Sequence, residues 1–165
     1  MAIQTSVGYN PAVAIEGQVA DLNNADMRSY AAGVDITNGR FVVMGATDGR
    51  CKLPTATGQI TGGTALGIAV YDPMKMVNWP SGVSVPYPQG TTVPIVRKGV
   101  VWVKVEEAVV PGDPVFVRFA AGAGGTNLGA FRKSADTATA VQYPGAAYLD
   151  TAAANGLARV DLNAP

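Results

Sequence analysis

TVPIVRKGVVWVKVEEA, residues Thr92 to Ala108, decides the fold class. Val101, Val103 and Val105 alternate with Val100, Trp102 and Lys104, and a period of two places these sets on opposite faces of a strand. β-branched and aromatic residues at this density suit a pleated, half-buried surface. Gly99 interrupts the run and predicts a bulge or bend. Pro94 cannot donate to a ladder and predicts an edge strand.

Toward the C-terminus, Val110-Pro111-Gly112-Asp113 has Pro and Gly where a type II turn requires a φ of about −65° and then a positive φ. The strand VFVRF that follows is expected to pair back on the valine run. The glycine-rich stretch 122–129 reads as a flexible loop. Ala146 to Leu149 and Leu157 to Asn163 supply two final strands, with Asn155-Gly156 as the turn between them.

Toward the N-terminus, LGIAVY (Leu66 to Tyr71) sets Leu66, Ile68 and Val70 against a thin second face of Gly67, Ala69 and Tyr71. In RFVVMGA, Phe41 and Val43 oppose Val42 and Met44, and Asn38-Gly39 predicts a hairpin back to VDIT. DLNNADMRSYAAG (Asp21 to Gly33) is a polar interruption in which Met27, Tyr30 and Ala31, at helical spacing, predict one or two turns of helix. Residues 1–17 contain Gly8 and Pro11, show no sustained period, and predict an extended arm ending in a strand at AIEGQVA. About eight short strands at intervals of roughly 8–12 residues predict an all-β chain. The architecture expected is a single-domain β-sandwich or jelly-roll-like barrel over 18–165, preceded by an extended N-terminal arm over 1–17.

Charge and composition exclude several functions. The 165 residues carry 12 basic and 12 acidic side chains, a charged fraction of 15% against about 25% in ordinary domains. The basic residues form no stripe interleaved with aromatics, so nucleic-acid binding lacks its electrostatic footprint. No segment approaches the ~18 apolar residues of a membrane span, and the start lacks a signal peptide's basic and apolar regions. A chain made soluble and not exported by that route is the expectation. The low-charge surface predicts association with a partner. Cys51 is the sole cysteine; it precludes an internal disulfide, agrees with a reducing cytosol, and reads as a small buried or half-buried side chain.

No motif carries chemistry. Met74-Lys75-Met76 looks like a biotin-accepting lysine, and Gly112-Asp113 lies in the kind of turn such carriers use. Carriers place the turn before the lysine, however, whereas Lys75 precedes Gly112 here and follows Asp72-Pro73. Lys75 is therefore expected unmodified. DLNNAD opens like a calcium loop but has Asp26 and Ala32 where Gly and Glu are required. The absence of histidine removes imidazole acid–base chemistry and histidine-based triads and zinc sites. A single cysteine removes a thiolate cluster within the chain. GAGGTNLG lacks dinucleotide spacing, and no Walker lysine exists. Among the carboxylates Glu106, Glu107, Asp113 and Asp150 no paired site is visible, because Glu106 and Glu107, adjacent on a strand, would face opposite ways. No catalytic residue, cofactor or metal is expected.

The order of these features resembles the structural cement, or capsid decoration, proteins of tailed bacteriophages. AVAIEGQVAD, NGRFVV, TALGIAVYD, VPIVRKGVVWVKV, PGDPVFVRF and AAYLDTAAANGLARVDLN carry the resemblance over nearly the whole chain. It implies a β-sandwich or jelly-roll-like barrel on the outside of an expanded capsid, in a virion assembled in the bacterial cytoplasm. It further implies a non-enzymatic protein that bridges major capsid protein subunits, as a homo-oligomer of two or three copies. Tyr9, Pro11, Val13 and Ile15 of the arm, with the loop aromatics Trp79 and Tyr87, are the expected interface residues. The alternative is a virion-surface β module that binds carbohydrate on a platform of Trp79 and Tyr87.

Overall fold

The computed structural model describes residues 14–47, 49–73 and 86–162. In chain order the strands are β1 (Val19–Ala32), β2 (Ile36–Thr37), β3 (Phe41–Met44), β4 (Arg50–Lys52), β5 (Ala65–Ala69), β6 (Pro86–Tyr87), β7 (Thr92–Lys104), β8 (Pro114–Arg118), β9 (Phe131–Arg132), β10 (Ala140–Tyr148) and β11 (Leu157–Leu162). One short helix, α1 (Thr57–Thr61), lies between β4 and β5. The protein is all-β.

The valine run is β7, and it organises the rest. Its first half pairs with β1 on one side and β5 on the other; its second half pairs with β11, from Gly99 opposite Leu162 to Lys104 opposite Leu157. The order β1-β4-β3-β5-β7, with β7 returning to β1, closes a five-stranded barrel. From β7 the sheet continues through β11, β10 and β8 to β9. A bridge between Val105 and Phe131, with the Glu106 N–H donating to the Phe131 carbonyl at 2.9 Å, brings β9 back to the end of β7. Two closed circuits thus share one long strand, which removes most of the sheet edges. β2 and β6 form a separate two-stranded ribbon.

Each circuit has its own core, and the wall between them is apolar on both faces. Val42 lies with Ala32, Ile36, Cys51, Leu66, Val93 and Ile95 in one core. Phe41, Val43, Ile68 and Val96 face the other, packed with Val101, Val103, Val105, Val115, Val117, Phe131, Val160 and Leu162. Gly99, at φ +125°, supplies the bend by which residues of one parity on β7 line first the one core and then the other. Gly67 has φ +137°, and a Cβ there would overlap the Val96 carbonyl. Close approach of β5 to β7 therefore requires glycine at this position.

Several local expectations are corrected. Asp21 to Gly33 is not helical but the main part of β1, because pairing of this segment with β7 through Ala31 outweighs weak helical spacing. Gly39 turns at φ +73°, yet the strands flanking it do not form a hairpin: β2 pairs with β6, while β3 pairs with β4 and β5. Pro94 does not mark an edge. It sits between β1 and β5, and its carbonyl accepts the Val70 N–H at 2.8 Å. The Pro111-Gly112 turn forms, with Gly112 at φ +85° and the Asp113 N–H on the Val110 carbonyl at 3.1 Å. The strand after it, β8, pairs with β10 and β9 and not with β7.

At the N-terminal side the barrel takes in residues assigned above to the 1–17 arm. Ala14 and Gly17 are buried. The Gly17 N–H donates to the Trp102 carbonyl at 2.7 Å, the Tyr71 N–H to the Gly17 carbonyl at 2.9 Å, and the Asn38 side chain to the Glu16 carbonyl. Residues 14–17 are therefore bonded onto the barrel ahead of β1.

Candidate functional site

At the end where β7, β8 and β9 meet, a charged network is enclosed. Arg118, at the end of β8, is fully buried. Its Nε donates to Glu106 Oε1 and Oε2 at 3.0 and 2.9 Å, and its Nη2 to Glu106 Oε2 and Asp136 Oδ2 at 2.7 Å each. Its Nη1 donates to Thr139 Oγ1 at 2.9 Å and to the Ala120 carbonyl at 3.3 Å. All five guanidinium protons are thereby engaged, the condition under which a buried charge is tolerated. Arg132 on β9 stands 2.8 Å from Asp136 and 3.3 Å from Glu107.

The local backbone explains the convergence. Asp136, Thr137 and Ala138 have φ of 44°, 55° and 66°, a left-handed turn that presents Asp136 to Arg118 and to the Gly124 N–H at 3.1 Å. This contact also ties down the glycine-rich loop, whose Gly122 and Gly125 bridge each other. Glu106 and Glu107 follow the end of β7 in a bend, so the expectation that they face opposite ways is corrected; both enter the network. Hydrogen bonding from Arg118, together with the Gly124 N–H and the nearby arginines, holds the Asp136 carboxyl down at about 2. Burial works to raise Glu107, but hydrogen bonds from Ser134, Lys133 and Arg132 outweigh it and hold the group below the usual carboxylate range.

The other ionisable groups named from sequence are also partnered. Asp150 accepts from Arg159 Nε and Nη2 at 2.8 and 2.7 Å, and Arg159 lies 5.6 Å from the centre of the Trp102 ring. Asp113 Oδ2 accepts the Val110 N–H at 3.0 Å and lies 3.7 Å from the Lys133 amine. Cys51 is buried, and burial pushes its thiol up to about 11, the opposite of activation. Glu16 is raised by burial, with Arg40 at 4.0 Å and Lys104 acting against it. Among the described residues no group of three or more His, Cys, Asp or Glu is gathered as metal ligands. No helix among them is long and apolar enough to cross a membrane.

The exposed apolar side chains concentrate toward β1. Ile15 precedes it, Leu22 and Met27 lie on it and Val34 follows it; Leu22 is 77% exposed. Between Asp21, opposite Val100, and Asp26, opposite Lys98, the chain bulges away from β7, and Leu22 rides on that bulge. Beside Val34 a surface groove of about 520 Å³ is lined by Asp35, Lys52, Leu53, Thr55, Gln89 and Leu128.

Of the residues singled out from sequence, Ile15 is 41% exposed next to the root of β1. Tyr87 is corrected as a loop aromatic. It is buried on β6, its hydroxyl donates to the Val70 carbonyl, and burial pushes its phenol up to about 12. Tyr9, Pro11, Val13, Trp79 and Lys75 lie outside the described residues. Arg118 was missed because an arginine in VFVRF carries no local sign that it turns inward. Leu22 was missed because its exposure arises from a bulge that only pairing with β7 creates.

The closed β-circuits, the salt-bridged carboxylates and the apolar β1 surface define an all-β protein with an enclosed ion-pair network and exposed apolar side chains near one strand. Its family is given by comparison: residues 3–163 match the model described as "Structural cement protein (E217 gp24/Pam3 gp6)", and the chain belongs to this bacteriophage structural cement family. No curated protein sequence matches. Among solved structures, a chain of "The capsid of Myoviridae Phage XM1" is 18% identical over 99% of this chain and 98% of its own, with a TM-score of 0.70, and shares the fold. The head fiber gp8.5 N base of bacteriophage phi29 is 13% identical over 83% of this chain and 92% of its own, with a TM-score of 0.40.

Proposed function

We propose that this chain is a cement protein that binds the outside of an expanded tailed-phage capsid and holds neighbouring major capsid protein subunits together. The family match over residues 3–163 is the observation that carries the reading. Packaged DNA loads the contacts between capsomers, and many copies of a bridging clip stabilise them through summed interface area. Exposed Ile15, Leu22 and Met27 offer apolar anchors for such contacts. The carboxylates of the enclosed network are held by arginine partners, which supports a role without catalysis. Small homo-oligomers would place several clips around one symmetry axis, in virions assembled in the host cytoplasm.

Burial of Tyr87 removes half of the platform on which carbohydrate binding was to rest, so no second reading is kept. The test is sedimentation of the purified protein with expanded capsids and with compact procapsids. Co-sedimentation with expanded shells at saturable, symmetry-related stoichiometry is expected. Absence of any bound fraction refutes the proposal.

A further inference from the structure

Ser29 stands opposite Pro94 in the pairing of β1 with β7. Pro94 has no N–H, and its carbonyl is taken by Val70 on the β5 side, so it offers β1 nothing. Residues bonded to a neighbour alternate along an antiparallel strand. Arg28 and Tyr30, opposite Ile95 and Val93, are therefore the ones bonded to β7. The N–H and C=O groups of Met27 and Ser29 point to the other edge of β1. Among the described residues that edge has a ladder partner only at Ala31 and Ala32, where β4 joins it. Asp26, Met27, Arg28 and Ser29 are all exposed.

This edge is complementary to itself. A two-fold axis through Met27 sets Met27 against the Met27 of a second copy as the hydrogen-bonded pair. The same axis sets Asp26 against Arg28 and Arg28 against Asp26 as the two flanking pairs. Flanking pairs of that kind bring side chains closest, at about 4.5 Å between Cα atoms. Asp26 and Arg28 already share one face, 3.9 Å apart within the chain and about half exposed. We propose that a second copy of this chain docks on the β1 edge at residues 25–29, joining two barrels into one continuous sheet across a two-fold axis. This specifies the oligomer in the reading above, while capsid binding is measured separately.

Sedimentation velocity of the full chain across a concentration series tests it, with four variants. Asp26→Arg and Arg28→Asp each create two like-charge pairs per dimer and are expected to weaken association about tenfold or more. The double variant Asp26→Arg/Arg28→Asp restores complementarity and is expected to restore wild-type association. Met27→Pro removes an outward N–H that β7 does not use, so a monomer with an unchanged melting temperature is expected. A wild-type monomer overturns the proposal, as does a trimer indifferent to Met27→Pro. Single variants that associate like wild type also overturn it, since the charges then only guard the edge, and so does a double variant that stays as weak as the singles. A β1-edge dimer that ignores capsids counts against the cement reading alone; a monomer that decorates them counts against the dimer alone.

Discussion

Replacing Arg118 with methionine keeps most of the side-chain volume and removes a charge that is fully buried and donates to Glu106, Asp136, Thr139 and the Ala120 carbonyl. Glu106 and Asp136, whose side chains are each 11% exposed, then keep only Arg132 as a cationic neighbour within 4.0 Å. Stripping one partner from a buried ion pair costs about 3–5 kcal/mol, most of it from the stranded charge. For a chain of this length each kcal/mol moves Tm by about 2–4 °C, so a fall of roughly 6–20 °C is expected. Urea unfolding at pH 7 with calorimetry measures both quantities. The double variant Arg118→Met/Glu106→Met is expected to lose less than the sum of its two singles, because each single leaves a charge unpaired. A loss below about 1 kcal/mol for Arg118→Met would refute the reasoning, since that is the scale of solvated surface pairs.

Acid sensitivity follows from the same network. Asp136 is held at about 2, first by hydrogen bonding from Arg118, and Asp150 is depressed, first by hydrogen bonding from Arg159. Folded values below the unfolded ones give stability that is present above about pH 4 and lost as pH falls toward 2; a Tm that stays flat over that window contradicts the account. Gly67→Ala places a Cβ on the Val96 carbonyl at φ +137°, and loss of more than about 3 kcal/mol is expected, so wild-type urea stability would disprove the close approach. Removing residues 1–13 leaves every bond described from Ala14 onward, so Tm should change little while capsid occupancy falls. Insolubility of the truncated chain would make the segment integral to the fold, and undiminished decoration would place the capsid contacts elsewhere.

The strands were legible wherever side-chain alternation met burial on one face. β7 read directly from the alternation that buries Val101 and Val103, and β11 fell where a final strand was expected, burying Ala158, Val160 and Leu162 at a period of two. β1 was unreadable by the same test. Between Ala20 and Ser29 its described side chains are mostly exposed, so hydrophobic patterning is silent there and pairing with β7 alone makes the segment a strand. α1 escaped because five residues are too few to display a helical period. Pro94 misled because the rule it breaks concerns the N–H alone. Its carbonyl still bonds to β5, and the β1 residue opposite needs no partner from it.

The sequence by itself determined that this chain is all-β and that it holds no histidine and a single cysteine, since those statements depend only on which side chains exist and how they alternate. Its order of motifs also carried the family resemblance. Tertiary structure decided which strands meet, that one long strand serves two closed circuits, and that Arg118 turns inward while Leu22 and the Met27 edge turn outward. Pairing partners lie far apart in the chain and bond through backbone groups that every residue shares. Local sequence therefore carries little information about them, and closure of the circuits selects the one arrangement that buries both apolar faces of the wall between the cores.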